Sequence, residues 1–148
     1  MTVTEKLARF VIETPTAAIP VEAREVARRQ ILDTLGVTLA GSLEPASAIV
    51  SKYIRALGGV PEASVLGHNF RTTTENAAFA NGVAAHALDF DDTWLPKGHP
   101  SCTVFSVMLA LGEKLEEWRA RGSMVRIRSV PVGAMATRYS RKEAKHGI

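Results

Sequence analysis

The side chains best suited to chemistry crowd into residues 85–101. Asp89, Asp91 and Asp92 lie there with His86, His99, Thr93, Trp94, Lys97 and Ser101. Carboxylates this close repel one another, and each raises the cost of ionising the next. Something must offset that repulsion: a metal ion, a cationic partner, or a reaction that needs an acid and a base.

Each option makes its own demand. For a metal, His86 and Asp89 are three residues apart and would share a helix face. Asp89, Asp91 and His99 could add ligands. The spacing matches no EF-hand loop, and it does not reproduce the two Asp-rich magnesium motifs of helical prenyl-transfer enzymes. A site without metal is therefore expected. For metal-free acid–base chemistry, a carboxylate, a hydroxyl and an imidazole on one loop can bind a polyanionic acid and move a proton. Ser101 and Thr103 would open the next helix, whose free N–H groups attract carboxylates. The structural option has Asp91 or Asp92 capping a turn and His86 as a satisfied helix-end histidine. It is the default for His86 and Asp92. Cys102 stands near a helix start, which can lower a thiol pKa, but no partner is assignable to it. His68 in a turn and His146 in the tail are expected to face solvent.

The rest of the chain bounds these options. With 148 residues, 46% of them hydrophobic and 22% charged, one globular domain is expected. The N-terminus lacks the order of a signal peptide, and no apolar run could span a bilayer. Cys102 is the single cysteine, which excludes an intrachain disulfide and suits a reducing cytoplasm. The net charge of +3 is uneven. Residues 1–121 hold 12 Lys and Arg against 14 Asp and Glu, whereas residues 122–148 hold 6 against 1. The basic character belongs to a tail expected to be poorly ordered, so specific nucleic-acid binding and a membrane role are not expected.

An all-α or mainly α domain must position the loop. Residues 4–13 read as an amphipathic helix with Leu7, Phe10 and Val11 at helical spacing. A second helix begins near Pro20, with Ile31, Leu35 and Leu39 on one side, and Gly41-Ser42 closes it. A third opens at Pro45, with an apolar stripe of Ile49, Tyr53, Ile54 and Leu57. Residues 62–66 are the one plausible strand, giving at most a short β-hairpin near Val65. Thr72 and Glu75 have capping-box spacing before an Ala-rich helix over residues 73–88. Ser101 can cap the last helix, with Val104, Val107, Met108, Leu111, Leu115 and Trp118 inward.

Several stretches together are family-like. Asp89-Phe90-Asp91-Asp92-Thr93-Trp94 and Gly98-His99-Pro100-Ser101 resemble the signature of the MmgE/PrpD family, which includes 2-methylcitrate dehydratases and cis-aconitate decarboxylases. Asp33-Thr34-Leu35-Gly36-Val37-Thr38-Leu39-Ala40-Gly41, Val65-Leu66-Gly67 and Asn76-Ala77-Ala78-Phe79-Ala80-Asn81-Gly82 agree in order and spacing. The resemblance covers about residues 5–118. It implies a helical domain and lyase chemistry, with no cofactor, on a small di- or tricarboxylic acid such as 2-methylcitrate or cis-aconitate. By that resemblance Asp89, Thr93 and His99 would be catalytic: His99 moves a proton or binds carboxylate, Asp89 orients it or shares a proton, and Thr93 bonds substrate. Trp94, Lys97 and Ser101 would bind substrate, and Phe90 and Trp94 would wall the site.

Residues 1–121 are thus expected to form part of the family's helical domain, with residues 122–148 departing from it. The family's lid domain and downstream pocket residues are not in this sequence. A truncated or frameshifted product is one expectation; a homo-oligomer, or assembly with a complementary subunit, is another. The competing class is a non-enzymatic remnant or interaction module.

Overall fold

The computed structural model describes residues 1–94 and 98–115. The fold is mainly α, with a single two-stranded sheet among the described residues. Helices α1 (Val3–Glu13), α2 (Val21–Gly41) and α3 (Pro45–Leu57) come first, with a short 3-10 turn at Thr16–Ala18. Strands β1 (Ala63–Ser64) and β2 (Arg71–Thr72) follow, then α4 (Thr74–His86) and α5 (Pro100–Lys114). Among the described residues no helix is long and apolar enough to cross a membrane.

Local chemistry sets these boundaries. Thr2 and Glu5 form a reciprocal capping box that starts α1. Pro20 is the N-cap of α2, and Pro45 begins α3, where its missing N–H costs nothing. The α4 cap is Thr73, which accepts the Asn76 N–H at 3.3 Å; the expected cap Thr72 lies one residue earlier, in β2. The Thr72 hydroxyl instead bonds the Gly58 carbonyl at 2.9 Å. Glu62 adds a second cap, accepting both the N–H (3.1 Å) and the hydroxyl (2.8 Å) of Thr74. Burial would raise the Glu62 carboxyl, but the Thr74 bonds and the Lys114 ammonium outweigh it and hold it below its ordinary value.

Helix α4 is central, packed against α5, α2, α3 and the hairpin. Its small side chains let neighbours come close. A methyl group added at Gly41 would strike the Ala84 carbonyl, so α2 and α4 cross backbone to backbone. Gly82 faces the Cys102 carbonyl and the Ser106 side chain of α5. The core is Ile54, Ala63, Val65, Ala77, Ala80 and Ala110, with Val50, Phe70 and Ala78 against it. The hairpin pairs Ala63 with Thr72 and Ser64 with Arg71. Asn81, fully buried, ties it to α4 by accepting the Leu66 N–H at 2.8 Å and donating to the Ser64 carbonyl at 3.0 Å. Arg71 and the Ser64 N–H both reach Glu113, at 2.8 and 2.7 Å, and so tie it to α5.

The inward helix faces differ from those the apolar spacing predicts. On α2 the buried residues are Thr34, Thr38 and Gly41, while Leu39 is exposed. On α3 they are Ser47, Ser51 and Ile54; Ile49, Tyr53 and Leu57 point outward. On α5 they are Cys102, Phe105, Ser106, Leu109, Ala110 and Gly112, with Val104 and Val107 exposed. The cause is the Ala- and Gly-rich surface of α4, which accepts small side chains closely. Buried hydroxyls are tolerated there because they bond helix carbonyls: Thr34 to Gln30 (2.7 Å), Thr38 to Thr34 (2.6 Å) and Ser106 to Cys102 (2.7 Å). Trp118 and the tail of residues 122–148 lie outside the described residues.

Candidate active site

The chain leaves α4 at His86 and must turn at once to reach α5. Asp89 makes that turn with φ 54°, a left-handed conformation that Asp tolerates better than most residues, and its N–H donates to the His86 carbonyl at 3.1 Å. The reversal brings Asp91 beneath the end of α4. Asp92 accepts the Ser101 N–H at 3.0 Å and satisfies one free donor of the first turn of α5. His99 is the N-cap residue of α5 and Pro100 its first helical residue. Ser101, expected as the cap, therefore lies inside the helix; Pro100 carries no N–H, so the outside carboxylate of Asp92 takes the capping role.

Four groups converge here. His86 Nδ1 donates to Asp91 Oδ1 at 3.0 Å. His99 Nδ1 lies 3.2 Å from the same oxygen, and His99 Nε2 lies 3.5 Å from Asp89 Oδ1. The two imidazole rings meet edge to face at 4.5 Å. One potential ligand atom from each of His86, Asp89, Asp91 and His99 lies within 4.8 Å of the others. The depth is graded: the Asp91 side chain is 0% exposed, His99 24%, His86 50% and Asp89 76%.

Electrostatics follow from that gradient. Burial alone would raise the Asp91 carboxyl. The His86 imidazole, the Cys102 thiol beside it and its own backbone N–H outweigh burial and hold it below its ordinary value. Cys102 moves the other way. Burial first, then the carboxylates of Asp91 and Asp92, push the thiol up to about 11. Its proton is bonded to the His99 carbonyl at 3.1 Å. The helix start that could have lowered this thiol is overridden by desolvation and two negative neighbours, which keep the proton on the buried sulfur.

The residues expected at the site from sequence are not all brought together. Asp89 and His99 meet. Thr93 is exposed on the same loop, and Trp94 is 67% exposed, its backbone paired with Gly98 by bonds of 2.9 and 3.2 Å. Phe90 is 75% exposed. Among the described residues neither Phe90 nor Trp94 walls the cluster, because the left-handed turn at Asp89 sends Phe90 outward. Ser101 contributes its N–H to Asp92, and Lys97 lies outside the described residues. What sequence reasoning missed is the pair beneath His99: His86 and Asp91, five residues apart, meet only because the chain reverses between them. An Asp at a helix end followed by a second Asp two residues on is the one local signal of that reversal.

A groove of about 600 Å³ opens beside the cluster. It runs between α4 and α5, lined by Phe79, Gly82, Val83, His86, Cys102 and Val107 among others.

Known proteins are similar to this chain in sequence. Cis-aconitate decarboxylase of Mus musculus is 42% identical over 91 residues, 61% of this chain and 19% of that protein. The Homo sapiens protein of the same name is 43% identical over 89 residues, 60% of this chain and 18% of that one. The match therefore spans about a fifth of the length of these relatives. The family model for the MmgE/PrpD N-terminal domain matches residues 5–126, which takes in α2 to α5, all but the first two residues of α1, and the loop between α4 and α5. The chain belongs to the MmgE/PrpD family.

Proposed function

We propose that the α4–α5 loop is part of a lyase site for a small di- or tricarboxylic acid. The carrying observation is His99 held between a buried carboxylate on Nδ1 and an exposed one on Nε2. Asp91 Oδ1 lies 3.2 Å from Nδ1, near enough to attract a protonated ring although the two are not hydrogen-bonded. Nε2 faces outward beside Asp89, which is the atom placed to move a proton. Thr93 stands exposed on the same loop, where it could hydrogen-bond a substrate. In a dehydration, the imidazole takes the proton from the carbon beside a carboxylate, and hydroxide leaves with a proton from an acid. In a decarboxylation, the carbon–carbon bond breaks, carbon dioxide leaves, and the carbanion takes the imidazolium proton. The relatives named cis-aconitate decarboxylase favour an unsaturated tricarboxylic acid.

Charge sets the limit of this site. A tricarboxylate brings negative charge to a cluster that already holds Asp89 and Asp91. Stabilising it takes cations beyond two imidazoles. Lys97, on the same loop, is one source; a second polypeptide, either another copy or a complementary subunit, is another. Purified chain therefore turns over slowly or not at all, but binds the acid at His99. The test is an imidazole NMR titration with cis-aconitate and with 2-methylcitrate, alongside a product assay. Expected are shifts of the His99 resonances that weaken in Asp89→Asn. Turnover that survives His99→Ala unchanged would place the chemistry elsewhere.

A second reading, an interaction module, has its own observation. Leu32, Leu39, Leu43, Ile49, Tyr53 and Leu57 on α2, α3 and their connection are exposed. Apolar surface of that extent marks a surface for protein association. The two readings are compatible if the covering partner completes the site.

A further inference from the structure

We propose that α1 is a docking arm. Its apolar face seats in the groove between α4 and α5 of a second copy of this chain, and that copy's α1 seats in return. The inference concerns assembly and does not rest on the lyase reading. Helix α1 starts from its own capping box, yet not one of its residues is buried. Val3, Leu7, Phe10 and Val11 have the i, i+4, i+7, i+8 spacing of one helix face, and all four are exposed. An isolated helix shorter than about 12–15 residues is marginal in water, and α1 has 11. It keeps its form by packing that face on another surface. The chain carries a seat of the right kind. Small residues one turn apart on α4, Ala78 and Gly82, line the groove beside the larger Phe79, Val83 and Val107. Small residues let a helix come close, as α2 comes close to α4 at Gly41. Phe79 and Val107 are exposed, so the groove can grip apolar anchors from a helix.

Reach, area and charge select the second copy as the occupant. The groove borders Ala46 and Ala87, at the end of α2 where Gly41 meets Ala84 and Ala87. The arm joins the opposite end of α2, at Val21. A helix of 21 residues is about 30 Å long. The linker of residues 14–20 contains the 3-10 turn Thr16–Ala18, so it spans about 20 Å. It does not bring α1 alongside the groove of its own chain. A helix about 16 Å long and 10 Å across that lays one face in a groove buries on the order of 400 Å² on each side, so two such seats bury about 1,600 Å², the size of a stable interface. Mutual exchange is also the closed, two-fold form of such a contact. Glu5, Lys6, Arg9 and Glu13 sum to zero, so α1 lacks the Lys- and Arg-rich polar face of a membrane-surface helix. The His86 end of the groove is acidic, because a carboxylate oxygen of exposed Asp89 lies within 4.8 Å of a His86 ring nitrogen. Lys6, one turn before Phe10 at the edge of the apolar face, is a cation for that end.

The test is sedimentation equilibrium of the full chain in dilute solution, where the weaker association of the α2 and α3 faces does not contribute. A dimer is expected. An arm variant, Leu7→Ser with Phe10→Ser, and a groove variant, Val107→Glu, should each weaken dimerisation by about tenfold or more. All three positions are exposed, so the fold should survive, and circular dichroism checks it. The decisive measurement mixes the two variants in equal amounts. The intact arm of the groove variant meets the intact groove of the arm variant, so the mixture should associate more tightly than either variant alone and less tightly than the parent. A parent chain that stays monomeric would overturn the proposal. So would an arm variant that dimerises like the parent, or a mixture that associates no better than its components. Hydrogen-exchange protection of α1 in a monomer would assign the arm to its own chain, and α1-dependent binding to phosphatidylserine vesicles without dimerisation would assign it to a membrane surface. Either result would refute the exchange.

Discussion

Replacing Asp91 by Asn should destabilise the fold at neutral pH, and the difference should shrink on acidification. Asp91 Oδ1 accepts from His86 Nδ1 at 3.0 Å, and its side chain is 0% exposed, so solvent screening does not discount the bond. A hydrogen bond to a charged group contributes about 1.5–3 kcal/mol, and a neutral one about 0.5–1.5. Asn keeps the shape and one acceptor, so about 1–2 kcal/mol should be lost. The sign is fixed by the carboxyl's own behaviour. Burial would push it up, yet it stands below its ordinary value, so its bonds to the ionised form exceed the desolvation it suffers. A carboxyl depressed by folding binds its proton later in the native state than in the unfolded chain. Its contribution is complete above the unfolded value and is lost as pH falls through the folded one. Urea unfolding in the presence of EDTA, at neutral pH and then stepwise below about pH 5, reads this directly. With a slope of about 1–3 kcal/mol per molar urea, the neutral-pH midpoint should fall by roughly 0.5–1 M. An Asn variant as stable as the parent at neutral pH would refute the reasoning. So would a gap that stays constant through the acid range, because Glu62 and the other carboxyls cancel between the two proteins.

The other expectations concern the start of α5 and the outward faces. Asp92→Ala should lower stability by about 1 kcal/mol through loss of the Ser101 N–H partner, and Asp92→Asn should restore most of it; thermal melts of the three proteins decide. The exposed apolar residues of α2 and α3 should drive self-association at high concentration. Replacing Leu39, Ile49 and Tyr53 by Ser should shift sedimentation toward the monomer without loss of helicity.

The parts of this molecule legible in its sequence are those decided within a few residues. Pro20 and Pro45 act on their own turns, so α2 and α3 begin close to where proline chemistry puts them. Which face of each helix turns inward depends on the surface it meets. Leu39, Ile49, Tyr53 and Val107 have the spacing of a buried stripe, yet the Ala- and Gly-rich surface of α4 takes Thr38, Ser47, Ser51 and Ser106 instead. Periodicity finds a stripe but cannot tell an inner face from one awaiting a partner.

The site follows the same division. Every group in the cluster comes from one segment between the end of α4 and the start of α5, so its location could be read from residue types alone. Its internal order could not, because that depends on the left-handed backbone at Asp89. With a right-handed residue there α4 would continue, and Asp91 and His86 would lie on different sides of one helix. The single reversal places Asp91 under both imidazoles and leaves Asp89 outside beside Nε2. One carboxylate is thereby buried against His86, and the other stays exposed beside His99. Two carboxylates of the same type thus meet different surroundings from depth alone, and under the proposed lyase reading that difference is what would let one short acidic loop hold an imidazole and still meet a proton.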